Sequence, residues 1–307
     1  MGDLIKRYGT GLTTAFALLT GFWLLILLIL PNVTMLESAF RPYLPVVDIG
    51  GPKDVYSLAN FTSIFENPTE VSLFGIAFSI GVRLKVFLLT IFYSIVVTLI
   101  AFVLAYPLSY YLAKIVSPKS LPTLFLLLFV PLWVSEVLRS FAWFIILTLK
   151  GPLNVMLMSL GIIDTEIRWI AGFTPVIIGL VYTYVLFMVF PIYNAMQSLD
   201  SNQIEAAEDL GSPWWRTHLR IILPHTKPGI ASGAVMVFML SAGSLLVPSL
   251  LGSTTSGWFT QTIQGIMLES QDWNRGAAYA FMLLAFCTFL VGLLMWVFKV
   301  KLSDVAK

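Results

Sequence analysis

Residues 86–112 read VFLLTIFYSIVVTLIAFVLAYPLSYYL, a run without a single charged side chain. A helix that crosses the hydrocarbon core of a bilayer needs about 20 such residues. A charge at the bilayer centre costs at least about 2.5 to 3.5 kcal/mol, so uncharged runs of this length are rare outside membranes. The run therefore predicts a transmembrane helix and decides the fold class.

Other segments of the chain have the same character. Pro31 closes the first of them, the Gly/Ser/Thr-rich stretch 252–257 ends another helix near Leu251, and a further segment contains Glu136 and Arg139 at a spacing that lets them pair on one helical face. The predicted spans outside residues 86–112 are about 12–30, 121–148, 170–199, 228–251 and 276–298. We therefore predict an all-α polytopic membrane protein with about six transmembrane helices.

The composition supports a membrane protein and excludes two other classes. Of the 307 residues, 58% are hydrophobic and only 11% are charged, with a mean hydropathy of +0.89, against roughly 25% charged residues in soluble domains. The net charge is +2 and the 18 basic residues are scattered, so there is no electrostatic footprint for nucleic acid. Cys287 is the single cysteine, which excludes an intrachain disulfide.

The distribution of Lys and Arg predicts the orientation, because loops that stay in the cytoplasm keep an excess of them. With the N-terminus inside, the outer segments hold seven basic residues in longer loops and the inner segments hold ten. The inner ten are Lys6, Arg7, Lys114, Lys119, Arg216, Arg220, Lys227, Lys299, Lys301 and Lys307; the outer seven are Arg41, Lys53, Arg83, Lys85, Lys150, Arg168 and Arg275. Both termini are therefore expected in the cytoplasm.

The domain organisation follows from these spans. Residues 1–85 hold the first span and a large outer loop, 86–299 form the membrane core, and 300–307 form a short inner tail. The apolar stretch 71–81 is expected to lie along the outer interface. The first apolar core, about 19 residues long, exceeds the 7 to 15 of a signal peptide, which favours an uncleaved anchor.

The longest inner loop, 200–228, is expected to be folded. Asp200 and Gln203 have the spacing of a capping box, and the residues up to Leu210 are mostly good helix formers. Gly211 can adopt the left-handed conformation that ends a helix. The loop therefore begins with a short helix that stops at a tight bend.

A second short helix is predicted beyond this bend. Ser212 followed by Pro213 is an N-cap with proline at the first helical position, and Pro224 is expected to end the helix. The result is a pair of short helices on the cytoplasmic face.

Seven residues of this loop have a characteristic spacing. They are Glu205, Ala206, Ala207, Gly211, Ile221, Leu223 and Pro224. With each position at roughly one in twenty, a chance match at a given start is on the order of one in 10⁹. The spacing resembles the full EAA signature of the membrane subunits of type I bacterial ABC importers. The resemblance implies that the loop contains a coupling helix, which sits in a cleft of a cytoplasmic ATPase subunit.

Further stretches of the chain resemble the B-type permeases of spermidine/putrescine importers. They include residues 130–133, 160–165, 176–182 and 272–278. The resemblance implies a non-enzymatic permease subunit for a small organic solute, with polyamine as the narrower inference, in the bacterial inner membrane. It also implies three kinds of protein partner: paired ATP-binding subunits, a second permease of different sequence and a periplasmic solute-binding protein.

No cofactor is expected on this chain. It lacks the GxxxxGK[ST] loop that would bind ATP, so ATP and Mg would be held by the partner ATPase. His218 and His225 lie in the inner loop without a third ligand at metal spacing, which favours a surface role over a metal site.

The candidate translocation path consists of residues within or near the spans. They are Trp133, Glu136, Arg139, Trp143 and Pro248. Glu136 and Arg139 are costly inside a membrane and invite a functional interpretation, although a mutually neutralising pair explains them equally well. In that case no free carboxylate remains for a polycation, and solute recognition rests with the binding protein. The two tryptophans are consistent with contact to a cationic solute or with helix packing. Pro248 is consistent with a bend in its helix or with packing alone.

Two alternatives come from other classes of protein. A secondary transporter or channel acting without an ATPase would show more buried ionisable residues along an ion path. A membrane enzyme would show a histidine or acidic cluster in the spans. Neither explains the spacing of the inner loop.

The predicted topology is testable by thiol labelling. In a Cys287→Ser background, single cysteines at Ser57 and Thr165 should react in intact cells with a membrane-impermeant reagent, because both positions are expected outside. A cysteine at Ser212 should react only after the membrane is opened. Labelling at Ser212 in intact cells, with neither outer position reacting, would overturn this orientation.

Overall fold

The computed structural model describes residues 2–299 except residues 46, 47, 49, 74, 75, 254 and 255. For residues 2–8, 69–73 and 76–78 only the backbone is described. The predicted tail at 300–307 lies outside the described residues, as does part of the break at 252–257. The chain forms two compact units, Met1–Val82 with Ile263–Leu283, and Arg83–Thr262 with Leu284–Lys307.

The described residues form fourteen α-helices and one β-hairpin. In chain order they are α1 Gly2–Leu24, α2 Leu30–Ala39, α3 Ala59–Thr62, β1 Pro68–Leu73, β2 Ile76–Gly81, α4 Val82–Tyr110, α5 Leu121–Trp133, α6 Glu136–Leu147, α7 Pro152–Ser159, α8 Thr174–Gln197, α9 Ser201–Asp209, α10 Trp214–Thr217, α11 Leu223–Gly243, α12 Leu246–Leu251, α13 Phe259–Gln264 and α14 Trp273–Phe298. Four π-helical turns, each of five residues, occur at Leu25–Ile29, Tyr111–Ile115, His218–Ile222 and Gly265–Glu269.

Four helical segments are long and apolar enough to cross a membrane. They are Gly9–Ala39, Val82–Ile115, Thr174–Gln197 and Trp273–Phe298, with 31, 34, 24 and 26 residues. The segment predicted as the third span consists of α5 and α6, which are bent by 86°, and counting them as one span gives five. The predicted fifth span, α11, is not among the four, and its first half contains His225 and Lys227. The all-α polytopic class is confirmed, with four to five candidate spans where about six were expected.

Two prolines that were expected to end helices lie inside continuous helical segments. Pro31 lies in α2, within the candidate span Gly9–Ala39, and Pro224 lies in the first turn of α11. In each case a π-helical turn ends two residues before the proline. A proline ring normally clashes with the carbonyl four residues earlier. The wider turn relieves this clash, so both helix ends predicted at proline are wrong.

The packing of α8 against α11 forms the centre of the second unit. Met188 and Ile192 of α8 are fully buried. A Cβ at Gly229 of α11 would lie against the carbonyl oxygen of Pro191 and 2.6 Å from the Cβ of Ala195. A Cβ at Gly233 would lie 2.7 Å from the sulfur of Met188. Glycine at both positions therefore lets the two backbones approach closely, as the small-residue pattern of α11 suggests.

In the first unit, a polar cluster stabilises the segment after α2. The Arg41 guanidinium forms ion pairs with Glu37 at 2.7 Å and with Asp54 at 2.9 Å. The buried side chain of Asn60 donates hydrogen bonds to the carbonyl oxygens of Ala39 and Arg41, at 3.0 and 2.8 Å. These contacts hold part of the predicted outer loop in a defined fold.

Residues 71–81, which were expected along the outer membrane interface, belong to the β-hairpin, and their position at the interface stays a prediction. β1 and β2 pair in antiparallel register, with Pro68 opposite Gly81. A Cβ at Gly81 would lie 2.6 Å from the carbonyl oxygen of Ile64, so the hairpin ends where the backbones meet closely. The cross-strand hydrogen bonds satisfy backbone groups that an isolated interfacial strand would leave exposed.

We expect Gly229→Ala to destabilise the protein, because the added methyl group meets the backbone of α8. Overpacking of this kind costs about 1 to 3 kcal/mol. Gly292→Ala is the matched control, since a Cβ at Gly292 has open space around it. Thermal unfolding of the purified protein in detergent should show a lower midpoint for Gly229→Ala than for Gly292→Ala. Equal midpoints would contradict the close α8–α11 contact.

Candidate functional site

The inner loop begins with α9, which has the predicted caps at both ends, although within the described residues no hydrogen bond of the Gln203 side chain completes the predicted capping box. Asp200 is the N-cap, and its Oδ1 accepts a hydrogen bond from the Asn202 N–H at 3.0 Å. At the other end Gly211 has φ of +74°. Its N–H donates to the Glu208 carbonyl at 2.8 Å, and the Ser212 N–H donates to the Ala207 carbonyl at 2.9 Å. This pair of bonds is a Schellman motif, and it confirms the left-handed bend predicted at Gly211.

The second helix of the loop differs from its prediction. α10 begins at Trp214, with Pro213 as its N-cap residue and without a side-chain cap. The N-cap position is therefore one residue later than expected at Ser212, whose N–H donates to the Ala207 carbonyl at the end of α9. α10 continues through the π-helical turn into α11, so the bend at Gly211 leads directly into the long helix.

The seven signature residues do not form one cluster. Glu205, Ala206, Gly211 and Pro224 are exposed, whereas Ala207, Ile221 and Leu223 are half-buried. The neighbouring residues Ile204 and Ile222 are buried and hold the loop against the helical core. Leu210 and Trp214 are 87% and 74% exposed. The bend therefore presents an acidic, a small and two large apolar side chains outward, which suits contact with a partner protein.

Side chains from distant parts of the chain fix the ends of the loop. The Lys114 ammonium donates a hydrogen bond to the Leu199 carbonyl. The hydroxyl of Ser198 and Nε2 of His225 are hydrogen-bonded at 3.0 Å. Both ends of the loop are thus tied to the ends of long helices.

His218 lies at the junction of the loop and α4, which the sequence did not indicate. Its Nδ1 is 3.0 Å from the Tyr106 hydroxyl, and its ring packs edge-on against Tyr110 with centroids 4.6 Å apart. Trp214 contributes a third ring at 5.7 Å. These contacts make His218 part of an aromatic cluster.

The predicted pairing of Glu136 with Arg139 does not form. No ion pair joins these two side chains among the described residues. α5 ends at Trp133 and α6 begins at Glu136, so the two charges lie in the first turn of a new helix. Glu136 Oε1 instead accepts a hydrogen bond from the Tyr184 hydroxyl at 3.0 Å, while Arg139 Nε is buried without a hydrogen-bond partner.

A cavity of about 360 Å³ adjoins this carboxylate. Its lining comes from α6, α8 and the residues around the gap between α11 and α12. The lining residues are Glu136, Tyr184, Met239, Leu240, Gly243, Ser244, Leu245 and Leu246. Two interrupted helices therefore meet at one polar cavity, which is the arrangement in which membrane proteins tolerate irregular backbone.

The other predicted path residues do not line this cavity. Trp133 is 76% exposed at the end of α5. Trp143 packs edge-on against Tyr182 with centroids 5.5 Å apart. Pro248 is buried in α12, a helix that packs against α6 and α8. Of the five candidates, only Glu136 is in the cavity lining.

The apolar helices and the folded loop define a polytopic membrane protein of helical class. The chain belongs to the family of binding-protein-dependent transport system inner membrane components, whose model matches residues 72–299. It is a permease subunit of an ABC importer, as the loop signature predicts, and the secondary-transporter alternative is not favoured. The domain boundaries at 85 and 299 remain predictions.

Curated relatives and solved structures agree with this family. The chain is 35% identical to the spermidine/putrescine transport system permease protein PotB of Escherichia coli over 277 residues, which cover 90% of this chain and 92% of PotB. PotB of Salmonella typhimurium LT2 is 34% identical, with coverage of 92% and 94%. A bacterial ABC transporter involved in import of the acidic polysaccharide alginate shares the fold, with a TM-score of 0.72, 19% identity and 97% coverage of both chains.

His218 gives the loop a dependence on pH. Burial lowers the pKa of its imidazole below the ordinary value of 6.5, so the folded protein disfavours the protonated ring. The stability contributed by neutral His218 is present above about pH 6.5 and declines as the pH falls below it.

We therefore expect the unfolding midpoint of the purified protein to fall between about pH 7.5 and about pH 5.5, and to fall less in His218→Phe. His225→Phe is the matched control, because His225 is exposed. An equal pH dependence in wild-type protein and His218→Phe would contradict this role of His218.

Proposed function

We propose that this chain is the permease of an importer for a small organic cation of the polyamine type. It would work in the bacterial inner membrane with both termini in the cytoplasm. Its partners would be paired ATP-binding subunits, a second permease of different sequence and a periplasmic solute-binding protein. The similarity to PotB over 90% of the chain supports the solute class. The fold does not, because one fold serves many solutes.

The geometry of the α9–α10 bend carries the proposal of ATPase coupling. The Schellman motif gives the bend a single conformation, and the exposed Glu205, Leu210 and Trp214 surround it. A rigid protrusion of this kind can fill a cleft on a partner, where Glu205 would meet basic groups or a helix N-terminus. ATP and Mg would be bound by that partner and not by this chain.

A solved structure with a similar fold supports the proposed partnership with a binding protein. A solved bacterial alginate ABC transporter in complex with a periplasmic protein has a TM-score of 0.72 to this chain, at 20% identity. We propose that the present chain likewise receives its solute from such a protein, with the docking surface on the periplasmic side.

We expect Gly211→Val to impair coupling. A side chain in the left-handed region costs about 1 to 2 kcal/mol, and valine is among the residues least suited to it. Gly211→Asn is the matched control, because asparagine tolerates this conformation, and open space surrounds the position. Glu205→Lys reverses the exposed charge without changing the bend. The measurement is the amount of ATPase subunit that co-purifies with each variant, together with ATP-dependent uptake in proteoliposomes.

Gly211→Val and Glu205→Lys should lose bound ATPase and uptake, whereas Gly211→Asn should retain most of both. If Gly211→Val and Glu205→Lys keep wild-type uptake with the ATPase bound, the coupling assignment is wrong. Spermidine and putrescine are the solutes to test with the cognate binding protein. ATP-independent uptake would favour the secondary-transporter alternative, and uptake of a different solute would remove only the polyamine assignment.

A further inference from the structure

The cavity beside Glu136 is lined by a serine hydroxyl that makes no hydrogen bond within the described part of the chain. Ser244 is only 6% exposed, and its Oγ makes no hydrogen bond. It lines the same cavity as the Tyr184 hydroxyl, which itself donates to Glu136. A buried hydroxyl without a partner costs free energy. Because Ser244 lines the cavity, its oxygen is available to accept a hydrogen bond from a bound molecule.

The negative charges around the cavity favour a cation. Glu136 contributes a carboxylate that is held by Tyr184 and not neutralised by an ion pair. Gly243, the last residue of α11, also lines the cavity. The C-terminus of a helix carries a partial negative charge and unpaired carbonyl groups. The N-terminus of α6 has the opposite sign, but the charge of Glu136 in its first turn opposes it.

Arg139 acts against a cation at the same place. Its guanidinium lies within electrostatic range of Tyr184, and it has no ion-pair partner among the described residues. A transport site must bind its solute weakly enough to release it. A nearby positive charge that is not paired with Glu136 limits the affinity of the carboxylate without removing its selectivity.

We propose that Glu136, Tyr184 and Ser244 form a subsite for an ammonium group of the transported solute. An ammonium ion has three N–H donors, and each of the three side chains offers an oxygen acceptor to the same cavity. This inference rests on the proposed import of an organic cation. It places part of the solute selectivity in the permease, whereas the sequence had left selectivity to the binding protein because Glu136 was expected to be paired.

The test is equilibrium binding of radiolabelled spermidine and putrescine to the permease–ATPase complex in nanodiscs, without the binding protein. Glu136→Gln should weaken binding by about tenfold or more, and Ser244→Ala by about two- to tenfold. Arg139→Gln should strengthen binding, because a repulsive charge is removed. Glu136→Asp keeps the charge and should retain part of the affinity. Glu166→Gln is the matched control, since Glu166 is exposed and outside the cavity lining.

If Glu136 and Arg139 had only a structural role, Glu136→Gln and Arg139→Gln should both weaken binding. Opposite effects of the two substitutions on binding therefore support the subsite. Unchanged binding in Glu136→Gln, weaker binding in both variants, or no saturable amine binding by wild-type complex overturns the subsite. Uptake with the binding protein separates this failure from failure of the proposed function. Wild-type amine uptake that persists in Glu136→Gln removes the subsite alone, whereas absence of amine uptake by wild-type complex removes both.

Discussion

The close approach of α8 and α11 is the contact on which the second unit depends. Gly229 and Gly233 leave no space for a Cβ between the two backbones. In a membrane, where the lipid is as apolar as the helix surface, such close packing supplies much of the association between helices. Met188 and Ile192 are fully buried as a result. The pair forms a rigid antiparallel frame to which the loop and the interrupted helices are attached.

This frame carries both candidate sites. The loop with α9 and α10 connects α8 to α11, and Ser244 follows the last residue of α11. Lys227 and Ser244 are separated by about 25 Å along the helix, at 1.5 Å per residue. In the proposed function, a displacement of the bend at Gly211 is transmitted along one continuous helix to the cavity. No chain of intermediate contacts is required, because α11 itself is the rigid element.

Local chemistry explains which features could be predicted from the sequence. The cap at Asp200 and the left-handed Gly211 depend on neighbours within a few residues, and both have the expected geometry. The ends predicted at Pro31 and Pro224 failed for one common reason. A π-helical turn before each proline gives the ring space, and no simple sequence signal announces such a turn. Both errors came from a local rule that a wider turn overrides.

Tertiary contacts account for the remaining differences. His218 is fixed by Tyr106, which is 112 residues away, so its spacing to His225 said nothing about its environment. Glu136 and Arg139 both lie in α6, so their spacing permits pairing, but the 86° bend just before α6 is a feature that the charge-free pattern did not show. The turn places Glu136 in a helix N-terminus and gives it a partner on α8.

The separation of these two charges matters because of where they lie. A paired glutamate and arginine form a nearly neutral unit that a solute has no reason to approach. Without an ion pair, the negative and the positive charge each contribute to the electrostatic potential at the cavity. The sign of that potential depends on which charge is reinforced by neighbouring groups. Glu136 is supported by the Tyr184 hydroxyl and lines the same cavity as Gly243 at the negative end of α11, whereas Arg139 Nε is buried without an acceptor. In this proposal the local field at the cavity favours a cation, and the half-buried Arg139 keeps its binding reversible.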